Sequence, residues 1–384
     1  MIDLIKPFPG ESEESFVKRK AYYFRILRRR FEYGEHLIKN YSPNGIPITA
    51  SEKEEIDAFW NNFLKPELRE ILVDYRFYDV FKNLNRNKGH SLSYYIPDTF
   101  YYAYVDEYFT NPQHSAPCNA KTLYDLYFYD VNRPKTIFRK EEGFLLDSDY
   151  NSISLKEAIA KSKKEGEVVL KIAKFSSGGH GVTFWNSAED SEGELVDFVH
   201  SAKNIICQEV IKQHPVLSVL NPSSVNTIRL FTFAFIDEIY MLSSFIRFGG
   251  KGSRVDNAHS GGLACGIEND GRLKADAFDL SANRYDYRPD GIPLNQIVVP
   301  NYEKCVELAI QLAKRCVSIT RMVSWDFAID EKGNPILIEI GVSMGGLNFH
   351  QICNGPLFGD LTEDVLKEVF NNSYTLNSII KSIL

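Results

Sequence analysis

Hydrophobic and polar positions follow a helical spacing in the first part of the chain. From Glu14 to Tyr41, aromatic residues and leucines recur among Lys and Arg at the spacing of an amphipathic helix. Ser51 and Glu54 then match the N-cap and third position of a capping box. These patterns predict a helical N-terminal region over residues 1–90. The three arginines at 28–30 have acids close on either side, which is typical of a solvated helix face.

Beyond residue 150 the pattern becomes one of strands between helices. A serine N-cap opens the helical segment "SISLKEAIAKSKKEGE", and the strand-like runs "VVLKIAKF", "NIICQEVI", "NTIRLFTFAF" and "SWDFAID" follow. The amphipathic segment "NYEKCVELAIQLAKRCVSI" predicts a helix before the last hairpin. The segment "SLSYYIPDTFYYAYVDEYF" fits a helix and a strand equally well.

Composition narrows the class of protein without naming a chemistry. The 384 residues suffice for two or three modules, and a net charge of −7 argues against a general nucleic-acid binder. The six cysteines are scattered singly, so we expect reduced thiols and no zinc or redox motif. The N-terminus lacks a hydrophobic signal core, and no apolar run is long enough to span a bilayer. We therefore expect a cytoplasmic protein with no membrane span.

A glycine-rich turn follows the first predicted strand of the second region. Lys171 and Lys174 precede Ser177, Gly178 and Gly179. Glycines let backbone N–H groups surround a phosphate, and a nearby lysine adds fixed positive charge. It is not a Walker loop, because the lysine–serine ending is missing and a strand follows. Taken alone, the turn is better explained as the glycine-rich tip of a hairpin.

Two arginines lie inside hydrophobic strands, and each needs an anion because a buried unpaired charge is costly. These are Arg229 and Arg247, and the partner is an acidic side chain or a phosphate or carboxylate ligand. The polar loop "KGSRVDNAHSGG" that follows favours a ligand. We interpret His259 in this loop as a hydrogen-bonding residue and not as a catalytic base.

The hairpin "SWDFAIDEKGNPILIEIG" places two acids in apolar strands. If Lys332 and Gly333 form the centre of its turn, Asp330 faces Pro335, and Asp326 faces Glu339. Directly opposed carboxylates repel, so one would take up a proton unless a cation lies between them. A Mg²⁺ ion with phosphates completing its shell resolves the conflict. The alternative is a separate arginine for each acid, with Arg229, Arg247 and Arg321 available.

The order of these motifs resembles the ATP-grasp superfamily, from about Tyr150 to the C-terminus. "SVNTIRL", "RVDNAHSGG" and "SWDFAIDEKGNPILIEI" are most similar to the sugar-transfer-associated ATP-grasp group of polysaccharide gene clusters. The resemblance implies an α+β ATP-grasp fold in which two subdomains sandwich ATP, with a helical N-terminal region. It implies a pre-ATP-grasp segment over residues 91–150, an ATP-grasp domain over 151–384, and a lid subdomain at about 151–212.

The resemblance also implies roles for individual residues. Lys171 matches the lysine on the α/β-phosphates, with Lys174 as the alternative, and Ser177, Gly178 and Gly179 match the phosphate flap. The hinge that reads adenine corresponds to Gln208, Glu209, Val210 and Ile211, and Asn226 lies near the ribose. Arg229 and Arg247 would face phosphate or acyl phosphate, and Arg254 and Asn257 match the loop between nucleotide and carboxylate. Asp326 and Glu339 match metal ligands.

The departure from the family pattern is Gly341, where an asparagine usually contributes to the second metal. The resemblance implies an ATP- and Mg²⁺-dependent ligase that joins a carboxylate to an amine through an acyl phosphate. The alternatives are a kinase that phosphorylates a hydroxyl and a degenerate ATP-binding partner of a glycosyltransferase. Expected partners are small-molecule carboxylate and amine substrates, a second copy of the chain and glycosyltransferase pathway proteins. No nucleic acid is expected.

Overall fold

The structure is a computed structural model that describes residues 7, 9–110, 115, 118, 120–174, 181–250, 252–257 and 261–370. Its helices are α1 (Glu13–Tyr41), α2 (Ala50–Trp60), α3 (Pro66–Leu72), α4 (Tyr75–Leu84), α5 (Asp98–Phe100), a π-helical turn (Tyr101–Val105), α6 (Asp106–Phe109), α7 (Tyr124–Tyr127), α8 (Leu155–Glu165), α9 (Glu192–Ser201), α10 (Pro215–Ser218), α11 (Tyr302–Cys316), α12 (Leu347–Asn354) and α13 (Thr362–Phe370). Short 3₁₀ turns lie at Ser42–Asn44, Leu92–Tyr94, Lys121–Leu123, Pro289–Gly291, Leu294–Gln296 and Gly359–Leu361. None of the helices in these ranges combines the length and apolar character that crossing a bilayer requires.

The strands form two antiparallel sheets. They are β1 (Thr136–Glu141), β2 (Phe144–Leu146), β3 (Glu167–Ile172), β4 (Val182–Asn186), β5 (Ile205–Glu209), β6 (Thr227–Phe235), β7 (Glu238–Phe248), β8 (Leu263–Ile267), β9 (Leu273–Phe278), β10 (Arg284–Tyr285), β11 (Met322–Ile329) and β12 (Pro335–Gly341). The small sheet has the order β2-β1-β5-β3-β4, and the large sheet has the order β10-β9-β8-β7-β6-β11-β12. The small sheet therefore takes strands from both sides of the boundary expected at residue 150.

The large sheet is buried on both faces. One face packs against α11 through the core around Trp325 and Leu312. The other face shares a core with α12, α13 and the N-terminal helices, in which Trp60 and Phe233 are both fully buried. The small sheet has its own core with α8 and α9. The predicted α+β organisation is present, and the N-terminal region shares the core of the large sheet. All six cysteines are buried and unpaired, as expected of reduced thiols.

The segment left ambiguous by its sequence is helical, and α5, the π-helical turn and α6 follow one another without a break. A π-helical turn carries one extra residue compared with an α-helix and is common at functional sites. All five of its residues are buried, among them Tyr101 and Tyr102.

The capping box of α2 lies two residues earlier than predicted. Thr49 is the N-cap, and its hydroxyl accepts from the amide of Glu52 while the Glu52 carboxylate accepts from the Thr49 amide. The sequence offers the same capping pattern at both positions. The earlier one is used because the carboxylate of Asp79 accepts from the Ile48 amide at 2.8 Å, which fixes the chain just before the helix. The prediction of Ser51 as N-cap is therefore wrong.

The acidic hairpin contains a β-bulge that the sequence did not reveal. Ile329, not Asp330, pairs with Pro335, so the predicted register is wrong by one residue next to the turn. The register shifts between Asp326 and Phe327, where one residue of β12 is left unpaired. Beyond this bulge Asp326 pairs with Glu339, as predicted. The bulge is what brings the two acids opposite each other.

Candidate functional site

The site is built around Asp326, which lies on β11 in the interior of the large sheet and is 4% exposed. Its Oδ1 accepts from Nε of Arg229 at 2.7 Å, and its Oδ2 accepts from Nη2 of the same arginine at 2.7 Å. Nη2 of Arg247 donates to Oδ2 at 3.0 Å. Arg229 is the direct cross-strand partner of Asp326, so the sheet register itself forms this ion pair. The arginine alternative of the sequence analysis is therefore realised at Asp326.

The charges in this cluster stabilise one another. Burial alone would raise the pKa of Asp326, but Arg229 and Arg247 outweigh burial and lower the pKa to about 2. Burial disfavours the charged form of Arg247, yet Asp256 and Asp326 together raise its pKa. Nε of Arg247 donates to Asp256 at 3.3 Å. Within the described residues, Nη1 of each arginine has no hydrogen-bond acceptor.

Glu339 lies across from Asp326 but has a different partner. Its Oε1 accepts from Nζ of Lys121 at 2.8 Å, and its side chain remains 38% exposed. Lys121 comes from the segment before α7, whose Tyr124 hydroxyl donates to the carbonyl of Ile340 at 3.3 Å. This segment covers the free edge of β12, the last strand of the sheet.

Lys171 brings a cation of the small sheet within electrostatic range of Glu339. Nζ of Lys171 donates to Oε1 of Gln208 on the neighbouring strand β5 at 3.1 Å. Burial lowers the pKa of Lys171 to about 8, while the charge of Glu339 opposes this shift and Lys121 adds to it. Glu339 also raises the pKa of Arg247. The carboxylate of Glu339 is therefore within electrostatic range of cations from both sheets.

Two other predicted cations have partners elsewhere in the small sheet. Lys174 forms ion pairs of 3.1 Å with both Glu141 and Glu142 at the end of β1. Arg254 donates to Glu167 at 2.5 Å, and its guanidinium lies 3.9 Å from the ring centroid of Phe184. The loop of Arg254 thus crosses from the large sheet to β3 and β4 of the small sheet.

The remaining predicted residues have mixed surroundings. Asn226 is 1% exposed, and its side-chain amide donates to Gln213, Leu217 and Asn221, so this group supports the local loop. The Glu209 carboxylate accepts from the Lys135 amide at 2.9 Å. Val210 and Ile211 follow the end of β5, and the carbonyl of Asn257 accepts from the amide of Gly262 at 3.1 Å. Ser177, Gly178, Gly179 and His259 lie outside the described residues.

The acidic pair can be tested for its fit to Mg²⁺. In the described part of the chain, no three His, Cys, Asp or Glu side chains lie close enough together to hold a metal ion by themselves. Mg²⁺ needs only one or two carboxylates when phosphates and water supply its other ligands. Glu339 fits this requirement because it is partly exposed and has a single lysine partner. Asp326 can coordinate Mg²⁺ only if one of the two guanidiniums that donate to its carboxylate moves away.

Sequence reasoning missed Lys121, Asp256 and His350. Lys121 is 218 residues away from Glu339 in the chain, and no motif marks it. Asp256 was visible in the polar loop as an acid between Arg254 and Asn257, and this was the one available signal.

His350 is fully buried on α12, close to the charged cluster. Its ring stacks on Phe231 at 5.1 Å and contacts Phe245 edge-on at 4.7 Å. Neither ring nitrogen has a hydrogen-bond partner among the described residues. Burial and the charge of Arg229 lower the pKa of His350 well below 6.5, and Asp326 only partly offsets them. The imidazole is therefore neutral in the folded protein.

Comparisons with known proteins bear on the family. A family model described as sugar-transfer associated ATP-grasp matches residues 129–367, more than half of the chain. The fold is similar to D-alanyl-alanine synthetase A from Vibrio cholerae, at 10% identity over 68% of each chain with a TM-score of 0.42. It is also similar to an L-amino acid ligase from Bacillus licheniformis, at 14% identity over 69% of this chain and 51% of that one with a TM-score of 0.37. No curated protein matches. The structural likenesses are too remote to bear on function.

We predict that replacing His350 by Phe makes the protein more stable, and increasingly so as the pH falls. The unfolded histidine takes up a proton below about pH 6.5 and the buried one does not, so the wild type loses stability in that range. The advantage of H350F should therefore grow as the pH falls from 8 to 5, by at most ~1.4 kcal/mol per pH unit below pH 6.5. Urea unfolding at each pH measures it. His200 is exposed, so H200F is the control; an H350F advantage that does not change with pH would contradict the prediction.

Proposed function

The chain belongs to the sugar-transfer associated ATP-grasp family, and from that premise we propose that it is an ATP- and Mg²⁺-dependent carboxylate–amine ligase. The superfamily and fold predicted from the sequence are confirmed by the family match. The observation that carries the proposal is Glu339, a partly exposed carboxylate that accepts from Lys121 at 2.8 Å and lies within electrostatic range of Lys171 of the small sheet and Arg247 of the large sheet. Cations from both sheets around such a carboxylate suit Mg·ATP and a second anion, which on this proposal bind in a cleft between the two sheets.

The described residues suggest how the first step is supported. Lys171 is the cation of the small sheet, and we assign it to the α/β-phosphates. Arg229 and Arg247 each retain an Nη1 group without an acceptor in the described structure, and we assign these groups to the γ-phosphate and the substrate carboxylate. Because Asp326 already fixes both guanidiniums, little reorganisation is needed when charge develops on the transferred phosphoryl group.

The reaction then needs no covalent protein nucleophile. A carboxylate oxygen of the substrate attacks the γ-phosphorus, and ADP leaves, which gives an acyl phosphate. The amine attacks the acyl carbon, inorganic phosphate leaves, and an amide forms after the nitrogen loses a proton. Glu339 would hold Mg²⁺, and the bound ion would neutralise phosphate charge. Asp326 would join it as a second ligand only after a guanidinium had left its carboxylate. Positioning of the two substrates supplies the rest of the rate enhancement.

The substrate class follows from the family description alone. Association with sugar transfer suggests a sugar acid, an amino acid or a peptide-like acid in surface-polysaccharide or secondary metabolism. We propose a cytoplasmic enzyme in a pathway that also contains a glycosyltransferase. The adenine would contact the hinge at Gln208–Ile211, largely through backbone groups.

A kinase that uses the same nucleotide site is the second candidate. The test is to incubate the purified protein with Mg·ATP and a panel of acids, with hydroxylamine as the amine. A ligase should release ADP and phosphate and form a hydroxamate, because hydroxylamine captures an acyl phosphate. A kinase should release ADP without free phosphate and leave a stable phosphate ester, which mass spectrometry identifies. If Mg·ATP binds but no acid in a broad panel, with hydroxylamine or other amines, stimulates ADP release, the ligase proposal fails.

The third candidate is a degenerate ATP-binding protein, and Gly341 is the observation that favours it. We expect Gly341→Asn to fold normally, because a Cβ at this position would lie 3.4 Å from Cβ of Ser324, an ordinary contact. If the wild type is inert and G341N hydrolyses ATP, the degenerate reading gains support. If the wild type turns over, that reading is wrong. Gly341→Ala adds the Cβ without the amide oxygen and serves as the control.

Lys171 and Lys174 give a matched pair for the nucleotide site. We predict that Lys171→Met weakens Mg·ATP binding at least tenfold, since a hydrogen bond to a charged group contributes about 1.5–3 kcal/mol. Lys174→Met should stay within about twofold, because Lys174 pairs with Glu141 and Glu142 on a partly exposed edge. Isothermal titration calorimetry with a non-hydrolysable ATP analogue measures both dissociation constants. If Lys174→Met weakens binding of the analogue more than Lys171→Met does, the lysine that contacts the phosphates is Lys174.

A further inference from the structure

The loop at residues 342–346 follows the strand of Glu339 and lies directly against the charged cluster. A Cβ placed on Gly346 would come within 3.5 Å of Nη1 of Arg229. The carbonyl of Gly345 accepts from the hydroxyl of Ser324 at 2.9 Å, and Ser324 is two residues before Asp326. The conformation of this loop therefore decides how much room is left beside the guanidinium of Arg229.

The loop has a backbone conformation that it would not adopt unaided. Met344 has φ of +52° and Gly346 has φ of +79°. A left-handed conformation is unfavourable for a non-glycine residue and persists only where the surroundings impose it. Some part of the molecule must therefore hold Met344 in place.

Two buried side chains of the helical segment over residues 98–109 supply this restraint. The two carboxylate oxygens of Asp106 each accept from the amide of Met344 at 3.1 Å. The hydroxyl of Tyr102 accepts from the amide of Leu347 at 3.1 Å. Tyr102 belongs to the π-helical turn and Asp106 begins α6, so one helical segment holds both ends of the strained part of the loop.

This restraint is anchored in turn to α1. Nη1 of Arg30 donates to Oδ2 of Asp106 at 2.9 Å and to the carbonyl of Tyr102 at 3.2 Å. Asp106 and Tyr102 are each 1% exposed, so both interactions are shielded from water. A continuous series of contacts therefore runs from α1 through Asp106 to the loop and then to Arg229.

We infer that Asp106 and Tyr102 are positioning residues for the proposed site: they fix the loop at residues 342–346 beside Arg229. The helical segment over residues 98–109, which Arg30 ties to α1, therefore forms a wall of the site. Neither residue touches the predicted nucleotide groups Lys171 and Gln208. They act on the anion that Arg229 contacts. The kinetic part of the test rests on the proposed function, and the structural part does not.

The chain provides a matched control for each residue. Tyr101 is the buried neighbour of Tyr102, and its hydroxyl has no partner among the described residues. Glu107 is the buried neighbour of Asp106, and it also pairs with Arg30, at 2.8 Å. The test variants are thus Tyr102→Phe and Asp106→Asn, and the controls are Tyr101→Phe and Glu107→Gln.

The first measurement is hydrogen–deuterium exchange of peptides that contain Met344 and Leu347. Y102F should speed exchange of the Leu347 amide about five- to tenfold, because a buried hydrogen bond of about 1 kcal/mol loses its acceptor. D106N should speed exchange of the Met344 amide about fivefold, because a neutral amide oxygen accepts more weakly than a carboxylate. Y101F and E107Q should leave the exchange unchanged. If each test variant behaves as its control does, or if the faster exchange only follows a global loss of stability measured by urea unfolding, the inference is wrong. Y102F decides the question if D106N fails to fold.

The second measurement applies once a substrate acid is found. Y102F and D106N should lower kcat/KM for the acid about tenfold while the dissociation constant of a Mg·ATP analogue stays within about twofold. If kcat/KM for the acid is unchanged although the loop amides exchange faster, the positioning role is wrong. It is also wrong if kcat/KM and the affinity for the Mg·ATP analogue fall by the same factor. If no acid is ever turned over, the proposed function fails, and the exchange measurement still tests the restraint on the loop.

Discussion

The buried ion cluster of Asp326 with Arg229 and Arg247 is the interaction on which the rest of the site depends. Three neighbouring strands of the large sheet each contribute one member, and the sheet register fixes their relative positions. Loss of one member of a buried ion pair typically costs about 3–5 kcal/mol, because the remaining charge has no partner. The three residues are therefore coupled, and their ion pairs hold the two arginines in one arrangement beside Asp326.

The net charge of the cleft follows from this cluster and its neighbours. Arg229, Arg247, Lys121 and Lys171 contribute four positive charges, while Asp326, Asp256 and Glu339 contribute three negative ones. One positive charge remains, which favours an anionic ligand. The two facing acids also differ in accessibility. Asp326 is buried and bonded to two guanidiniums, whereas Glu339 is partly exposed and bonded to one lysine, so Glu339 can exchange its partner for a cation more easily.

The hydrophobic and turn patterns in the sequence predicted much of the fold and the pairing of Asp326 with Glu339. They did not predict the β-bulge that produces this pairing. Counting back from Lys332 and Gly333 placed Asp326 opposite Glu339, and the structure reaches this pairing only through a bulge that no residue type announces. The competition between arginine and metal at Asp326 could not be decided from the sequence, because both explanations use the same residues. Lys121 and Asp106 act on segments more than 200 residues away, and such contacts depend on how the helices pack against the sheet. Periodicity carries no information about them.

Gly341 is the remaining feature of the site that the fold does not explain. It lies on the edge strand without a positive φ angle, and a Cβ there would meet only ordinary contacts. Neither backbone strain nor packing therefore requires glycine. The reason must be sought in the chemistry of the cleft, where Asp326 already receives its compensating charge from arginines. If the proposed Mg·ATP site is correct, a second metal ion would have less charge left to neutralise there. The absence of the asparagine that the family resemblance implies would then have a smaller effect than in a site without this cluster.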